Sequence, residues 1–76
     1  MNLTEAKVNI LSELREESLH GYALSDRLGV RGSTIYEHLE TLEENGYLES
    51  KEDGRRTVYN LTEKAELILK AEDIED

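Results

Sequence analysis

Residues 33–61 read STIYEHLETLEENGYLESKEDGRRTVYNL, and the rhythm of the apolar residues changes partway along this stretch. Ile35, Leu39 and Leu42 recur at spacings of four and three, which places them on one stripe of a helix. The spacing predicts a helix from Thr34 to about Asn45. Ser33 precedes it as N-cap, its side-chain oxygen suited to a first-turn N–H, and Gly46 ends it. Beyond Gly46 two short alternating segments follow, Tyr47 to Glu52 and Arg55 to Leu61, joined by Asp53 and Gly54. Asp-Gly is a strong signal for a two-residue hairpin turn. That turn sets Glu52 opposite Arg55, Lys51 opposite Arg56 and Leu48 opposite Tyr59 on the inward face, giving a charged tip and an apolar base.

Upstream, Leu3, Val8, Ile10, Leu11 and Leu14 suit a first helix over residues 4–16, with Thr4 as N-cap and Glu5 beside the positive helix start. Ser18 to Gly21 breaks it. A short second helix from Tyr22 to Leu28 presents Tyr22, Ala23, Leu24 and Leu28 and is ended by Gly29, which accepts a left-handed cap. Only Gly29 to Gly32 separate it from the next helix, and so tight a joint suggests helix-turn-helix. Downstream, Thr62 caps a last helix through about Asp73, whose Ala65, Leu67, Ile68, Leu69 and Ala71, with Ile74 just beyond, cover more than one face. The expected class is α+β, mainly α: a winged helix-turn-helix of three helices, a two-stranded wing and a C-terminal helix.

Seventy-six residues allow one domain, 1–76, burying only about 60% of the surface its unfolded chain exposes. A second apolar face that joins two copies would add stability to so thin a core. No apolar run exceeds three residues, and no charged-then-apolar segment opens the chain. The expectation is a cytoplasmic protein with no membrane span and no export signal. Absence of cysteine removes disulfides, thiolate nucleophiles and thiolate metal sites together. No nucleophile sits in a motif with a base, no glycine-rich phosphate loop occurs, and neither His20 nor His38 has a second ligand at a metal-binding spacing. We therefore expect no enzyme, no cofactor and no metal, with the histidines in packing and hydrogen-bonding roles.

Charge is the discordant feature. Eighteen acidic residues against nine basic ones give −9, whereas DNA-binding domains are usually basic. Residues 18–30 and 47–60 are balanced; the two ends and residues 31–46 hold the excess carboxylate. Arg27, Arg31, Lys51, Arg55 and Arg56 fall in the middle of the chain. Four lysines against fourteen glutamates suit a halophilic source, since carboxylate-rich surfaces keep proteins soluble in strong salt. At about 1 M salt the screening length is roughly 3 Å, so acidic ends would scarcely repel DNA while direct contacts persist.

Several segments carry a family resemblance. His20-Gly21-Tyr22, Ser33-Thr34-Ile35-Tyr36, the run from Leu39 to Leu48, Gly54-Arg55-Arg56 and the run from Tyr59 to Lys64 occur in this order. Over about three quarters of its length the chain resembles the PadR-like transcriptional regulators. The resemblance implies a dimeric DNA-binding repressor with a C-terminal dimerisation helix, here residues 62–76. The chain departs from that pattern where Ser18 and Glu37 stand at common prolines and Ser33 at a common glycine.

A recognition helix entering the major groove turns its N-terminal residues toward base edges, which here are Ser33, Thr34, Glu37 and Thr41. Tyr36 flanks the stripe, where its hydroxyl reaches a phosphate, and Glu37 can accept from cytosine N4. Arg31 enters from the turn. Arg55 and Arg56, with Lys51 behind them, would lie over phosphates or in a minor groove. Blander readings stand beside these: Arg55 and Arg56 paired with Glu52, Glu49 or Asp53; Tyr36 half-buried in the core; Glu37, Glu40 and Glu44 as a solvated face. For the dimer we expect Leu3, Ile10, Leu67, Leu69, Ala71 and Ile74 at the interface. Two recognition helices then address a pseudo-palindromic double-stranded operator with half-sites about one turn apart. The alternative function is an acidic winged-helix module that binds a basic protein and does not touch DNA.

Overall fold

The computed structural model describes residues 3–74, with side chains through Ala71. The elements run α1 Glu5–Glu16, β1 Leu19–His20, α2 Gly21–Leu28, α3 Gly32–Glu44, β2 Leu48–Asp53, β3 Arg56–Leu61 and α4 Glu63–Ile74. A three-stranded antiparallel sheet, ordered β1-β3-β2, packs beside the helices.

Local signals explain most boundaries. Thr4 caps α1, its side chain accepting from the Lys7 N–H at 3.4 Å. Gly29 ends α2 in the left-handed region at φ 64°, and Ser25 Oγ closes the following turn by donating to the Val30 carbonyl. The end of α3 is a Schellman motif. The Tyr47 N–H reaches the Leu42 carbonyl at 2.9 Å and the Gly46 N–H reaches the Glu43 carbonyl at 3.0 Å, with Gly46 at φ 80°. Thr62 starts α4, accepting from the Ala65 N–H at 3.4 Å and donating to the Gly46 carbonyl at 2.6 Å. One threonine thus ties the start of α4 to the end of α3.

Several boundaries and positions differ from the sequence reading. Helix α3 begins at Gly32 with Arg31 as N-cap, not at Thr34 with Ser33, because the Arg31 carbonyl already accepts from the Ile35 N–H at 3.0 Å. In the hairpin, Asp53 opposes Arg56, Glu52 opposes Thr57, Lys51 opposes Val58, Ser50 opposes Tyr59 and Leu48 opposes Leu61. The turn is therefore Gly54-Arg55 rather than Asp53-Gly54. Gly54 has φ 66°, and among the described residues no non-glycine residue has positive φ. A turn with glycine at its first central position satisfies that geometry, whereas the Asp-Gly turn asks Asp53 for positive φ as well. The slip is two residues, so every side chain keeps its face. Strand β1 was not expected: Leu19 pairs with Tyr59 and His20 with Val58, and the Ser18 hydroxyl donates to Asn60 Oδ1 alongside.

The core gathers one face from each layer. Ile10, Leu11 and Leu14 of α1 meet Leu24 of α2, Ile35, Leu39 and Leu42 of α3, Leu48 and Tyr59 of the sheet, and Ala65 and Leu69 of α4. No polar or charged residue is buried among them. Ile10 and Leu69, expected at a dimer interface, thus lie inside the chain's own core at 1% and 3% exposure, which leaves almost none of either side chain for a partner. Leu3 is half-buried against the same core, Leu67 and Ala71 are exposed, and the Ile74 side chain lies outside the described residues. Tyr22, read as an apolar residue of the second helix, points to solvent. Among the described residues no helix is long and apolar enough to cross a membrane.

Candidate nucleic-acid interface

Helix α3 offers solvent a polar face because its apolar stripe is committed to the core. Arg31, Ser33 and Glu37 are exposed, and Thr34 is half-buried. Thr41 is half-buried too, and its hydroxyl donates to the Glu37 carbonyl one turn back at 3.1 Å. That proton is used within the helix, so Thr41 meets a base only as an acceptor or through its methyl group. Between Gly32 and Glu44 there are four glutamates and no lysine or arginine. Positive charge on this side of the molecule comes from Arg31 at the helix start and from the wing.

The wing supplies it at its tip. Arg55 occupies the turn and Arg56 opens β3, both exposed. Among the described residues neither has a salt-bridge partner, so the pairing with Glu52, Glu49 or Asp53 is not formed. Instead both arginines line an open groove of about 360 Å³ whose other walls are His20, Tyr22, Tyr36, Thr57 and Tyr59. The groove brings together Tyr36 and the adjacent pair Arg55-Arg56 from two separate places in the sequence. Lys51, Ser33, Thr34, Glu37 and Thr41 do not line it.

His20 and Tyr22 are the residues that the sequence reading missed. Their rings lie nearly parallel, 10° apart with centroids separated by 6.4 Å, and Tyr22 is 74% exposed. The available signal was the His-Gly-Tyr triplet at the start of α2. Tyr36 is half exposed, and its ring lies over Gly21. Beneath, Tyr59 is buried and holds its proton more tightly than an ordinary phenol. Burial is the main cause, followed by the negative charge of Glu43 and the neighbouring Tyr36. Glu43 is itself held from the wing, accepting from Ser50 Oγ at 2.6 Å. Two guanidiniums and several hydroxyls around an open groove are the chemistry of an anion contact, and a phosphodiester matches both its charge and its acceptors.

A tight helix pair, a hairpin packed beside its second helix and a cationic hairpin tip define a winged helix-turn-helix of the kind found in transcriptional regulators. The chain belongs to the PadR-like family of transcriptional regulators, whose family model matches residues 10–71. Solved structures agree on the fold. The adhesin competence repressor AdcR of Streptococcus pyogenes is 23% identical with a TM-score of 0.90, covering 97% of this chain and 57% of its own. The transcriptional regulator BldR of Sulfolobus solfataricus is 27% identical with a TM-score of 0.87, covering 93% of this chain and 53% of its own. The transcriptional regulator Tm0710 of Thermotoga maritima is 30% identical with a TM-score of 0.85, covering 90% and 51%. The chain thus spans about half the length of the solved structures it matches. No curated protein matches it in sequence.

Proposed function

We propose that this protein is a transcriptional repressor that binds double-stranded DNA as a homodimer, with α3 in the major groove and the wing on the backbone or in the minor groove. One observation carries the reading: among the described residues Arg55 and Arg56 have no carboxylate partner at the wing tip, and they line one open groove with Tyr36 of α3. Guanidiniums left free beside hydroxyls suit phosphate oxygens, and they give affinity more than sequence choice. Ser33, Thr34 and Glu37 are the base-reading candidates, with Arg31 entering from the turn and Lys51 supporting the wing. The repressing role is what the PadR-like resemblance implies; the family model itself describes transcriptional regulators.

Dimerisation is assigned to residues 62–76 within a single 1–76 domain. Leu67 is 60% exposed on a helix whose Leu69 is buried in the core and whose Ile68 packs partly against it. Around Leu67 lie Arg15, Glu63, Glu66 and Lys70, charges of both signs, as a two-fold interface with a polar rim requires. A pseudo-palindromic operator follows from that symmetry. The net charge of −9 supports a protein that works in strong salt.

The reading is tested by fluorescence anisotropy of labelled upstream and scrambled duplexes, wild type against Arg55→Ala/Arg56→Ala, over potassium chloride from about 0.1 M to 3 M. Sequence-dependent binding that the double variant loses supports it. A folded dimer that binds neither upstream nor genome-selected DNA at any salt moves the assignment to a protein-binding module. That module would use the exposed carboxylates of Glu37, Glu40 and Glu44 against a basic partner.

A further inference from the structure

The ring of Tyr36 rests on the backbone of Gly21. A Cβ added at Gly21 would stand 2.5 Å from Tyr36 Cζ, 2.6 Å from Cε1 and 2.7 Å from the hydroxyl oxygen, all well inside van der Waals contact. The three atoms nearest to that Cβ all belong to Tyr36, and backbone conformation does not call for glycine at position 21. The left-handed glycines are Gly29, Gly46 and Gly54, and Gly21 is not among them. It opens α2, where helix propensity favours alanine. The missing side chain at position 21 therefore answers to the tyrosine of the next helix. What it touches is the hydroxyl end of that ring, and the same tyrosine lines the groove with Arg55 and Arg56.

We propose that Gly21 is a positioning residue, seating the Tyr36 phenol so that its hydroxyl and the wing arginines address the same phosphodiester of bound DNA. The inference rests on the DNA-binding reading above and adds to it a residue that touches no DNA itself. Tyr36 is half exposed, and a tyrosine free to swing would lose rotamer freedom on binding; one already seated loses less. The seat also joins three elements, because Gly21 belongs to α2, Tyr36 to α3 and the two arginines to the hairpin. A methyl group at position 21 meets first the tip of a surface ring rather than backbone, so the shift it demands falls first on that ring and the fold is expected to survive the substitution.

A double-mutant cycle tests this. The probe is a duplex enriched by the wild-type protein from a random-sequence library; affinity is read by anisotropy, melting by circular dichroism and phosphate contacts by ethylation interference. Gly21→Ala and Tyr36→Phe are each expected to weaken binding roughly tenfold, the effect of one hydrogen bond to a charged acceptor. Both should lose interference at the same phosphate, and Gly21→Ala should melt no lower than wild type. In a Tyr36→Ala background, Gly21→Ala should change affinity no further. The inference is overturned if Gly21→Ala binds like wild type, if Tyr36→Phe does, or if Gly21→Ala costs as much with Tyr36 removed as with it present. A library that enriches no duplex overturns the DNA-binding reading, and this inference with it; the other outcomes leave that reading standing.

Discussion

Ser50 on β2 donates a 2.6 Å hydrogen bond to Glu43 in the last turn of α3, so the base of the wing is fastened to the proposed recognition helix by side chains as well as by the loop. Both residues are exposed, which keeps the bond modest. Ser50→Ala should lower stability by about 1 kcal/mol in urea titrations. Its distinctive effect should be local: amide exchange should quicken in β2 and β3 while α1 stays protected. Equal acceleration throughout the chain would mean that the bond does not hold the wing.

Glu43 also acts on Tyr59. Burial first, then the Glu43 carboxylate and Tyr36, holds the Tyr59 proton beyond the ordinary value of 10.0. In the unfolded chain the phenol ionises at about pH 10; in the folded protein it ionises only at higher pH. Between those limits the unfolded state binds fewer protons, so stability falls as pH rises through this window, and below it the group adds no pH dependence. Tyrosinate absorbance, taken as the difference from Tyr59→Phe, should appear at lower pH in Glu43→Gln than in wild type. An unmoved titration would show that the charge is not felt.

Leu24 is fully buried where α2 meets the core, and Leu67 is 60% exposed on α4. Leu24→Ala should cost about 2–5 kcal/mol. That is a large part of the total expected of a domain this size, on the order of 5–10 kcal/mol. Leu67→Ala should change the stability of the single chain by less than about 0.5 kcal/mol. The two should separate by method: urea unfolding detects the first, and sedimentation equilibrium detects the second as a weakened dimer. A Leu67 variant that dimerises normally would remove α4 from the proposed interface.

Eighteen carboxylates against nine cations repel one another most at low ionic strength. The urea midpoint should therefore rise between about 0.05 M and 2 M potassium chloride as the screening length shrinks to a few ångströms. A flat or falling midpoint would detach the acidity from any adaptation to salt.

The local chemistry of the chain was legible without a structure. Thr4, Thr62, Gly29 and Gly46 mark helix ends because caps act over a few residues. The stripe of Ile35, Leu39 and Leu42 marks the buried face of α3 because helical periodicity is local too. What escaped depended on partners distant in sequence or on a choice between near-equal local solutions. A two-residue strand such as Leu19–His20 has no period, and its hydrogen-bond partner lies some forty residues away. Gly54 suits the second position of one turn and the first of another, and only pairing along the whole hairpin selects Gly54-Arg55. In the candidate site, Tyr36, Arg55 and Arg56 could be named from residue type, but His20, Tyr22 and the role of Gly21 could not.

Composition, caps and periodicity by themselves determined the order of the four helices and the hairpin, the winged class and the cationic tip of the hairpin, since each is written in residues a few positions apart. Tertiary structure alone decided that Ile10 and Leu69 close the chain's own core, that Tyr22 faces solvent, and that a tyrosine ring of α3 lies over a glycine of α2. A hydrophobic side chain does not announce which of several apolar surfaces will cover it, and a glycine does not announce whose ring will lie against it. Both depend on how separate elements pack in space.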